Sequence, residues 1–242
     1  MSSQTEDLFN LSEVFYSIQG EGPYSGMPAV FVRFSGCNLR CEWQLSDGRT
    51  QRCDTPYASW KPEKMHCATE EILQRILQAS KECRDVIITG GEPLLQRNLP
   101  SLIGTLKDQG YRLHLETNGT IPVPSQFDVV VCSPKLHCSS PAHLRLRRVH
   151  ERRRIVSSKE IDGRDKKNFL KFVIAPTTDF SEVLEVQGSL GFPNERTYLM
   201  PEGNDRQSVM LATERVWKLA EEHGLRFSSR LHILAWGNER GR

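Results

Sequence analysis

Apolar residues run along this chain in short blocks, with helically spaced stretches between them. Ala29-Val30-Phe31-Val32-Arg33-Phe34, Asp85-Val86-Ile87-Ile88-Thr89, Tyr111 to Glu116, Asp128-Val129-Val130-Val131-Cys132, Phe169 to Ile174 and Arg196 to Met200 are each five or six residues long. They are rich in β-branched and aromatic side chains, which predicts strands. From Thr69 to Lys81 the apolar positions are Ile72, Leu73, Ile76 and Leu77. That is the one-sided spacing of a helix, with Thr69 as its N-cap. Leu99 to Gln109 predicts a second helix stopped by Gly110, and Asp205 to His223 a third stopped by Gly224. Leu8 to Ile18 opens the chain ahead of a turn at Gly20-Glu21-Gly22-Pro23, and Leu225 to Leu234 predicts a last strand.

Several of these strands are apolar throughout, as strands of a parallel sheet covered by helices are. The fold class is therefore α/β, a single domain over residues 1–242. In such sheets the chemistry sits at the carboxyl ends of strands. Polar and glycine-rich residues recur there: Cys37, Thr89-Gly90-Gly91-Glu92, Thr117-Asn118-Gly119, Ser133-Pro134-Lys135 and Pro201-Glu202-Gly203.

Composition narrows the class. The 242 residues carry 32 basic and 30 acidic side chains, a net charge of +2. This excludes a uniformly basic, histone-like chain and gives no support for a highly charged disordered one. No apolar run approaches the roughly 18–20 residues of a membrane span. Met1 to Asp7 is polar and acidic and reads as no signal peptide, so the expected compartment is the cytoplasm, with no membrane partner. The charge is uneven, however. Ser139 to Lys171 holds eleven basic and four acidic residues, a local +7 that leaves −5 for the rest. A basic insertion at about 139–168 is either a solvated helix and loop or a surface facing phosphate or another polyanion. It has no interleaved aromatic residues to stack on bases, which argues against direct nucleic-acid binding.

Seven cysteines are an odd count, and a disulfide framework is a poor reading in a reducing compartment. Most should be small buried thiols. Cys37 and Cys41 directly follow a strand, and Cys53 comes after eleven further residues. Three thiolates on one loop make a compact soft-ligand set. With His66 or Cys67 as a fourth ligand they would suit structural zinc. Alone they would hold a cubane iron–sulfur cluster with one iron left open. Glu116, at a strand end, is a candidate proton acceptor or ribose ligand.

Cys-x3-Cys with a third cysteine nearby, followed by Gly90-Gly91-Glu92-Pro93 after a strand, resembles the radical S-adenosylmethionine (SAM) superfamily. A narrower resemblance is to the 7-carboxy-7-deazaguanine synthase family. It rests on Phe15-Tyr16-Ser17-Ile18-Gln19-Gly20-Glu21-Gly22, Gly26-Met27-Pro28-Ala29 and Arg33-Phe34-Ser35-Gly36-Cys37-Asn38-Leu39-Arg40-Cys41. It continues through Cys53-Asp54-Thr55-Pro56-Tyr57-Ala58, Ile88-Thr89-Gly90-Gly91-Glu92-Pro93, Leu115-Glu116-Thr117-Asn118-Gly119-Thr120 and Ser133-Pro134-Lys135.

The resemblance implies a partial or modified (β/α) barrel of radical SAM type. It implies a 4Fe-4S cluster on Cys37, Cys41 and Cys53, SAM on the open iron, and Mg²⁺ at the Thr55 hydroxyl. The implied reaction is that of a carbon–nitrogen lyase. 6-Carboxy-5,6,7,8-tetrahydropterin would lose the hydrogen at C6 to a 5′-deoxyadenosyl radical and contract to 7-carboxy-7-deazaguanine plus ammonia, on the way to 7-deazapurines such as queuosine. Ile18, Gln19, Gly20, Glu21, Arg33, Thr89 and His232, on the last strand, would contact the pterin, with Arg33 on its carboxylate. Gly90, Gly91, Glu92, Ser133, Pro134, Lys135, Met200, Pro201, Glu202 and Gly203 would border SAM. A flavodoxin-like or ferredoxin-like reductant and a homodimer are also implied.

Two features depart from the pattern. Eleven residues separate Cys41 from Cys53 where the superfamily usually has two, and a polar insertion is read at about 44–52. The end of the chain, Leu234 to Arg242, does not match the last residues that close the pocket in short members, so no terminal contact is carried over. Two other readings share parts of this pattern. A radical SAM activating enzyme that installs a glycyl radical would keep the cysteines and Gly-Gly-Glu-Pro without needing Gln19 to Gly22 and Arg33. A zinc-stabilised module would use the basic insertion on RNA.

Overall fold

The computed structural model describes residues 8–45, 48–63 and 65–242; the polar segment Met1 to Asp7 lies outside them. Its strands are β1 (Phe9–Ile18), β2 (Pro28–Phe34), β3 (Glu42–Gln44), β4 (Thr50–Arg52), β5 (Met65–Cys67), β6 (Asp85–Gly90), β7 (Arg112–Thr117), β8 (Val129–Cys132), β9 (Asn168–Ile174), β10 (Thr197–Pro201) and β11 (Arg226–Phe227). The helices are α1 (Thr69–Ala79), α2 (Leu99–Asp108), α3 (Leu144–Arg153), α4 (Phe180–Leu190), α5 (Arg206–His223) and α6 (Leu231–Trp236).

Nine strands form one sheet in the order β11-β10-β9-β8-β7-β6-β2-β1-β5, and β3 pairs with β4 separately. From β2 through β11 every neighbouring pair in the large sheet is parallel. β1 runs antiparallel to β2, and β5 antiparallel to β1. The parallel strands follow one another in sequence order without reversal, so the chain winds in a single direction and the sheet is an open barrel.

The apolar blocks conceal an alternation. Val30, Val32 and Phe34, Val86 and Ile88, Leu113 and Leu115, Val130 and Cys132, and Leu170 and Phe172 are all fully buried. They share one core with Ile72 and Ile76 of α1, Leu102 and Leu106 of α2, Val183 of α4 and Val216 of α5. Burying each such aliphatic side chain contributes about 1.5–3 kcal/mol. The alternate positions point to the other, concave face. They begin apolar, with Phe31 and Ile87, and become polar with Arg33, Thr89, Glu116 and Lys171.

Three sequence expectations are corrected. The last strand covers only Arg226–Phe227, and Leu231–Trp236 is helical. β11 is an edge strand with one partner, and polar Ser228-Ser229-Arg230 interrupts it before Leu231 and Leu234 resume at helical spacing. His232 therefore sits on α6, not on a strand. Thr69 is the first residue of α1 and makes no cap; Ala68 holds that position without a side-chain bond. α4 lies in a stretch the apolar blocks leave unassigned. Its ends carry ordinary signals: Asp179 accepts from the Ser181 N–H at 3.0 Å, and Gly191 closes it at φ 70°. Gly110 and Gly224 do follow their helices, at φ 79° and 64°.

Candidate active site

The chain leaves β2 at Phe34 and enters the loop bearing Cys37 and Cys41. The residues before Cys53 fold as the β3–β4 hairpin, with Glu42 opposite Arg52, Trp43 opposite Gln51 and Gln44 opposite Thr50. The hairpin returns the chain to its starting point: the Cys53 N–H donates to the Cys41 carbonyl at 3.2 Å. The Trp60 indole N–H donates to the same oxygen at 3.1 Å. The long spacing thus does not part the thiols, because a self-paired ladder absorbs it. Cys37, Cys41 and Cys53 meet in a small apolar cluster with Leu39, Trp43 and Ala175.

None of the three is in a disulfide. Burial pushes all three thiols up, Cys37 to about 11, so ligation must exchange their protons for metal. Among the described residues, no three His, Cys, Asp or Glu side chains are gathered to hold a single metal ion. A cubane does not ask for that, since each thiolate takes its own iron. Cys67 lies elsewhere, fully buried in the main core, and His66 stands opposite Asn10 on the edge strand β5. That placement removes the fourth ligand of the zinc reading.

The Gly90-Gly91-Glu92-Pro93 turn packs straight against this loop. A Cβ on Gly91 would stand 2.4 Å from the Gly36 carbonyl oxygen, 2.6 Å from that of Ala58 and 2.8 Å from Cys37 Cβ, so only glycine fits. Glu92 is fully buried. It accepts from the Thr117 hydroxyl at 2.9 Å, the Asn118 N–H at 2.8 Å and the Leu94 N–H at 3.1 Å. Burial raises its carboxyl to about 7 in spite of those bonds. Glu92 fastens the loop after β7 to the loop after β6.

Above the concave face opens a cavity of about 450 Å³. Its wall includes Ile18, Gln19, Gly20, Glu21, Arg33, Cys53, Thr55, Thr89, Gly90, Gly91, Glu116, Ser133, Lys135, Met200, Glu202 and His232. Of the expected site residues, Cys37, Cys41, Glu92, Pro134, Pro201 and Gly203 do not line it. Within the wall, Glu116 accepts from Gln19 Nε2 at 3.0 Å and from the Thr89 hydroxyl at 2.9 Å. Arg33 Nε donates to Glu13 Oε1 at 2.7 Å. The Thr55 hydroxyl lies 3.4 Å from Cys53 Sγ, Lys135 Nζ donates to Ser133 Oγ at 2.7 Å, and Gln51 Nε2 donates to Glu202 Oε1 at 2.5 Å.

Two residues of the site, Lys171 and Arg230, escape the motifs, and Asp54 lies in one without an assigned role. Lys171 Nζ lies 2.6 Å from Glu21 Oε2 and 3.7 Å from Glu116 Oε1. It was counted by sequence with the basic insertion, yet its side chain is buried in β9. Arg230 Nε donates to Glu21 Oε1 at 2.9 Å, and its terminal nitrogens reach Asp54 Oδ2 and the Gly203 carbonyl. Burial pushes the Glu21 carboxyl up, but Lys171, Arg230 and His232 together hold it well below the usual range. Asp54 is likewise lowered against its burial by Arg230. A chain-wide sign of Lys171 exists, since a lysine inside an apolar strand must find a carboxylate. Arg230 lies 209 residues from Glu21, and no local pattern links them.

His232 stands 3.7 Å from Glu21 Oε1 through Nε2. Its ring crowds Gly20, where a Cβ would meet His232 Nδ1 at 2.3 Å, and the Leu231 N–H donates to the Gly20 carbonyl at 2.9 Å. α6 is thereby pinned to the Gln19-Gly20-Glu21 turn, which brings His232 beside Gly20 and Glu21 from a helix. The tail Asn238 to Arg242 also lines the cavity. Arg240 fixes it through Glu13 at 2.9 Å and Glu63 at 2.7 Å.

Comparison with known proteins agrees with this geometry. Residues 31–131 match the radical SAM superfamily model. The chain is 36% identical to the 7-carboxy-7-deazaguanine synthase of Rhodopirellula baltica, over 98% of this chain and 90% of that protein. It is 38% identical to that of Hyperthermus butylicus, over 96% and 95%. The crystal structure of QueE from Escherichia coli superposes with a TM-score of 0.64 at 24% identity, covering 96% of this chain and all of that one; it speaks for the fold.

Proposed function

The chain belongs to the 7-carboxy-7-deazaguanine synthase family of radical SAM enzymes, and on that premise we propose what each part of the cavity does in the reaction. The observation that carries the proposal is that the three-thiol loop opens, through Cys53, onto the same cavity that Gln19, Arg33 and Glu116 line. Membership in this family sets aside the glycyl-radical activating reading. Cys37, Cys41 and Cys53, gathered and free of disulfides, suit a 4Fe-4S cluster in their chemistry. When bound there, the cluster and SAM would supply the radical chemistry that removes the C6 hydrogen of 6-carboxy-5,6,7,8-tetrahydropterin.

The chain's own residues hold that substrate. Arg33 pairs with its carboxylate, and Glu13 keeps the guanidinium oriented. Gln19 and Thr89 fix the Glu116 carboxylate, which accepts a proton released as the ring contracts and ammonia leaves. Glu21, kept ionised by Lys171 and Arg230, accepts from the donor edge of the pterin, with Ile18, Gly20 and His232 beside it. Gly90, Gly91, Ser133, Lys135, Met200 and Glu202 border SAM. Thr55 would offer a hard hydroxyl oxygen to Mg²⁺, while its neighbour Asp54 is held by Arg230. The product feeds 7-deazapurine and queuosine synthesis. A homodimer would cover the exposed apolar side chains Met210, Leu211 and Trp217 of α5.

Among the described residues no helix is long and apolar enough to cross a membrane. Anaerobic reconstitution tests the mount: about four irons per chain are expected, and Cys37→Ala abolishes 5′-deoxyadenosine formation. Zinc at one equivalent without iron uptake would refute the proposal.

A further inference from the structure

Among the described residues helix α3 is the one strongly basic helix, and it is fastened to the loop that carries the cysteines. His150, 1% exposed, accepts the Arg40 N–H on Nδ1 at 3.2 Å. With Nδ1 accepting, the ring proton is on Nε2, which donates to Ser139 Oγ at 3.2 Å. Arg153 Nη1 donates to the Asn38 carbonyl at 3.3 Å, and the Ala142 N–H donates to Glu42 Oε1 at 3.0 Å. Asn38 and Arg40 lie between Cys37 and Cys41, and Glu42 follows directly. No residue from 136 to 170 lines the large cavity, so this helix serves the outer side of the cysteine loop, away from the substrate.

The outer surface is unneutralised. Arg145, Arg147, Arg148, Arg152 and Arg153 are exposed, and among the described residues none has an ion-pair partner, whereas Arg154 is held by Glu151 and Glu182 at 2.7 and 2.6 Å. Arg145, Arg148 and Arg152, at i, i+3 and i+7, share one helical face. A row of free guanidinium groups costs self-repulsion unless it meets negative charge.

We propose that α3 is the docking surface for an acidic one-electron carrier protein of the flavodoxin type. This rests on the radical SAM reading, in which the group held by Cys37, Cys41 and Cys53 must be reduced from outside. One electron leaves the carrier's reduced flavin, which becomes a semiquinone, and arrives at that group, which is reduced by one. Charge complementarity guides the carrier onto the outer side of the cysteine loop and raises its association rate. RNA, the other polyanion, lacks a stacking platform here, since no aromatic residue lies between 139 and 168.

The test uses the reconstituted enzyme and R145E/R148E/R152E, with an acidic bacterial flavodoxin as the probe. Two readouts are taken: calorimetric Kd for the oxidised flavodoxin at low and high salt, and 5′-deoxyadenosine formation driven by flavodoxin hydroquinone or by dithionite. The variant should weaken Kd by about tenfold or more at low salt and flatten its salt dependence. Its flavodoxin-driven rate at limiting carrier should fall in step, while the dithionite-driven rate stays within about twofold. R145Q/R148Q/R152Q should lose less, which separates charge from folding. An unchanged Kd overturns the proposal, as does an equal loss with both reductants. Weakened transfer-RNA binding with unchanged flavodoxin Kd assigns the face to RNA and overturns it too. A wild-type enzyme inert with dithionite would count against the proposed function, and the flavodoxin Kd would still decide the surface.

Discussion

Arg230 carries the polar floor of the cavity, because it is the side chain that both Glu21 and Asp54 share. Removing one member of a buried ion network leaves the others charged and unmatched. Arg230→Met should therefore destabilise the protein by about 3–5 kcal/mol in urea unfolding, and a loss under about 1 kcal/mol would mean that the network is solvated. Acid sensitivity has two sources at this scale. Glu21 is held below its unfolded value, so its stabilisation is complete above about pH 4.3 and is lost as pH falls through the lower folded value. Burial lowers His150 from 6.5 to about 4. Its neutral ring stabilises the fold fully above about pH 6.5, and the unfolded chain takes up the proton first as pH drops towards 4. Glu92, raised by burial to about 7, works the other way over this range, so His150 is read by difference: from pH 7 to 4.5 the unfolding free energy of His150→Asn should fall less, or rise more, than that of the wild-type chain, and an equal slope would remove His150 from the account. Gly91 admits no side chain, so Gly91→Ala should displace the Cys37 loop and lower iron incorporation, read as iron per chain.

At the scale of elements, the β3–β4 hairpin explains how eleven residues between Cys41 and Cys53 leave the thiols together. Replacing Gln44–Thr50 by Asn-Gly keeps Trp43 opposite Gln51 across a two-residue turn of the favoured kind. Iron content and SAM cleavage should stay within about twofold, since loop closure changes little with such a cut. Loss of iron would show that the full hairpin positions Cys53. The cysteine loop, the Gly-Gly-Glu-Pro turn and the central strands were legible in the sequence because each is a local pattern. The identity of Leu231–Trp236 as a helix was not, because β11 is short for lack of a second neighbour and apolar residues continue past it. Glu92 was read as a SAM contact from its motif; its bonds to Thr117 and Asn118 depend on the register of two strands and lie beyond motif reading.

At the scale of the molecule, single-direction winding places the carboxyl ends of the parallel strands on one rim, and β1, antiparallel to β2 with Ile18 opposite Pro28, brings Gln19 to Glu21 to the cavity from the other end of β2. The covered face carries the core, and the concave face is free to hold Arg33, Thr89, Glu116 and Lys171. What the sequence hides is the long-range pairing across this bowl: Lys171 and Arg230 reach Glu21 from 150 and 209 residues away. Charge divides the same way, with the buried pairs inside and the free arginines of α3 outside the cysteine loop. The central claim is that this one cavity joins the three-thiol mount to a pterin site. It is tested most directly by incubating the reconstituted enzyme anaerobically with SAM, dithionite, Mg²⁺ and 6-carboxy-5,6,7,8-tetrahydropterin and weighing the products. The account predicts 7-carboxy-7-deazaguanine alongside 5′-deoxyadenosine; 5′-deoxyadenosine with the pterin recovered unchanged would contradict it.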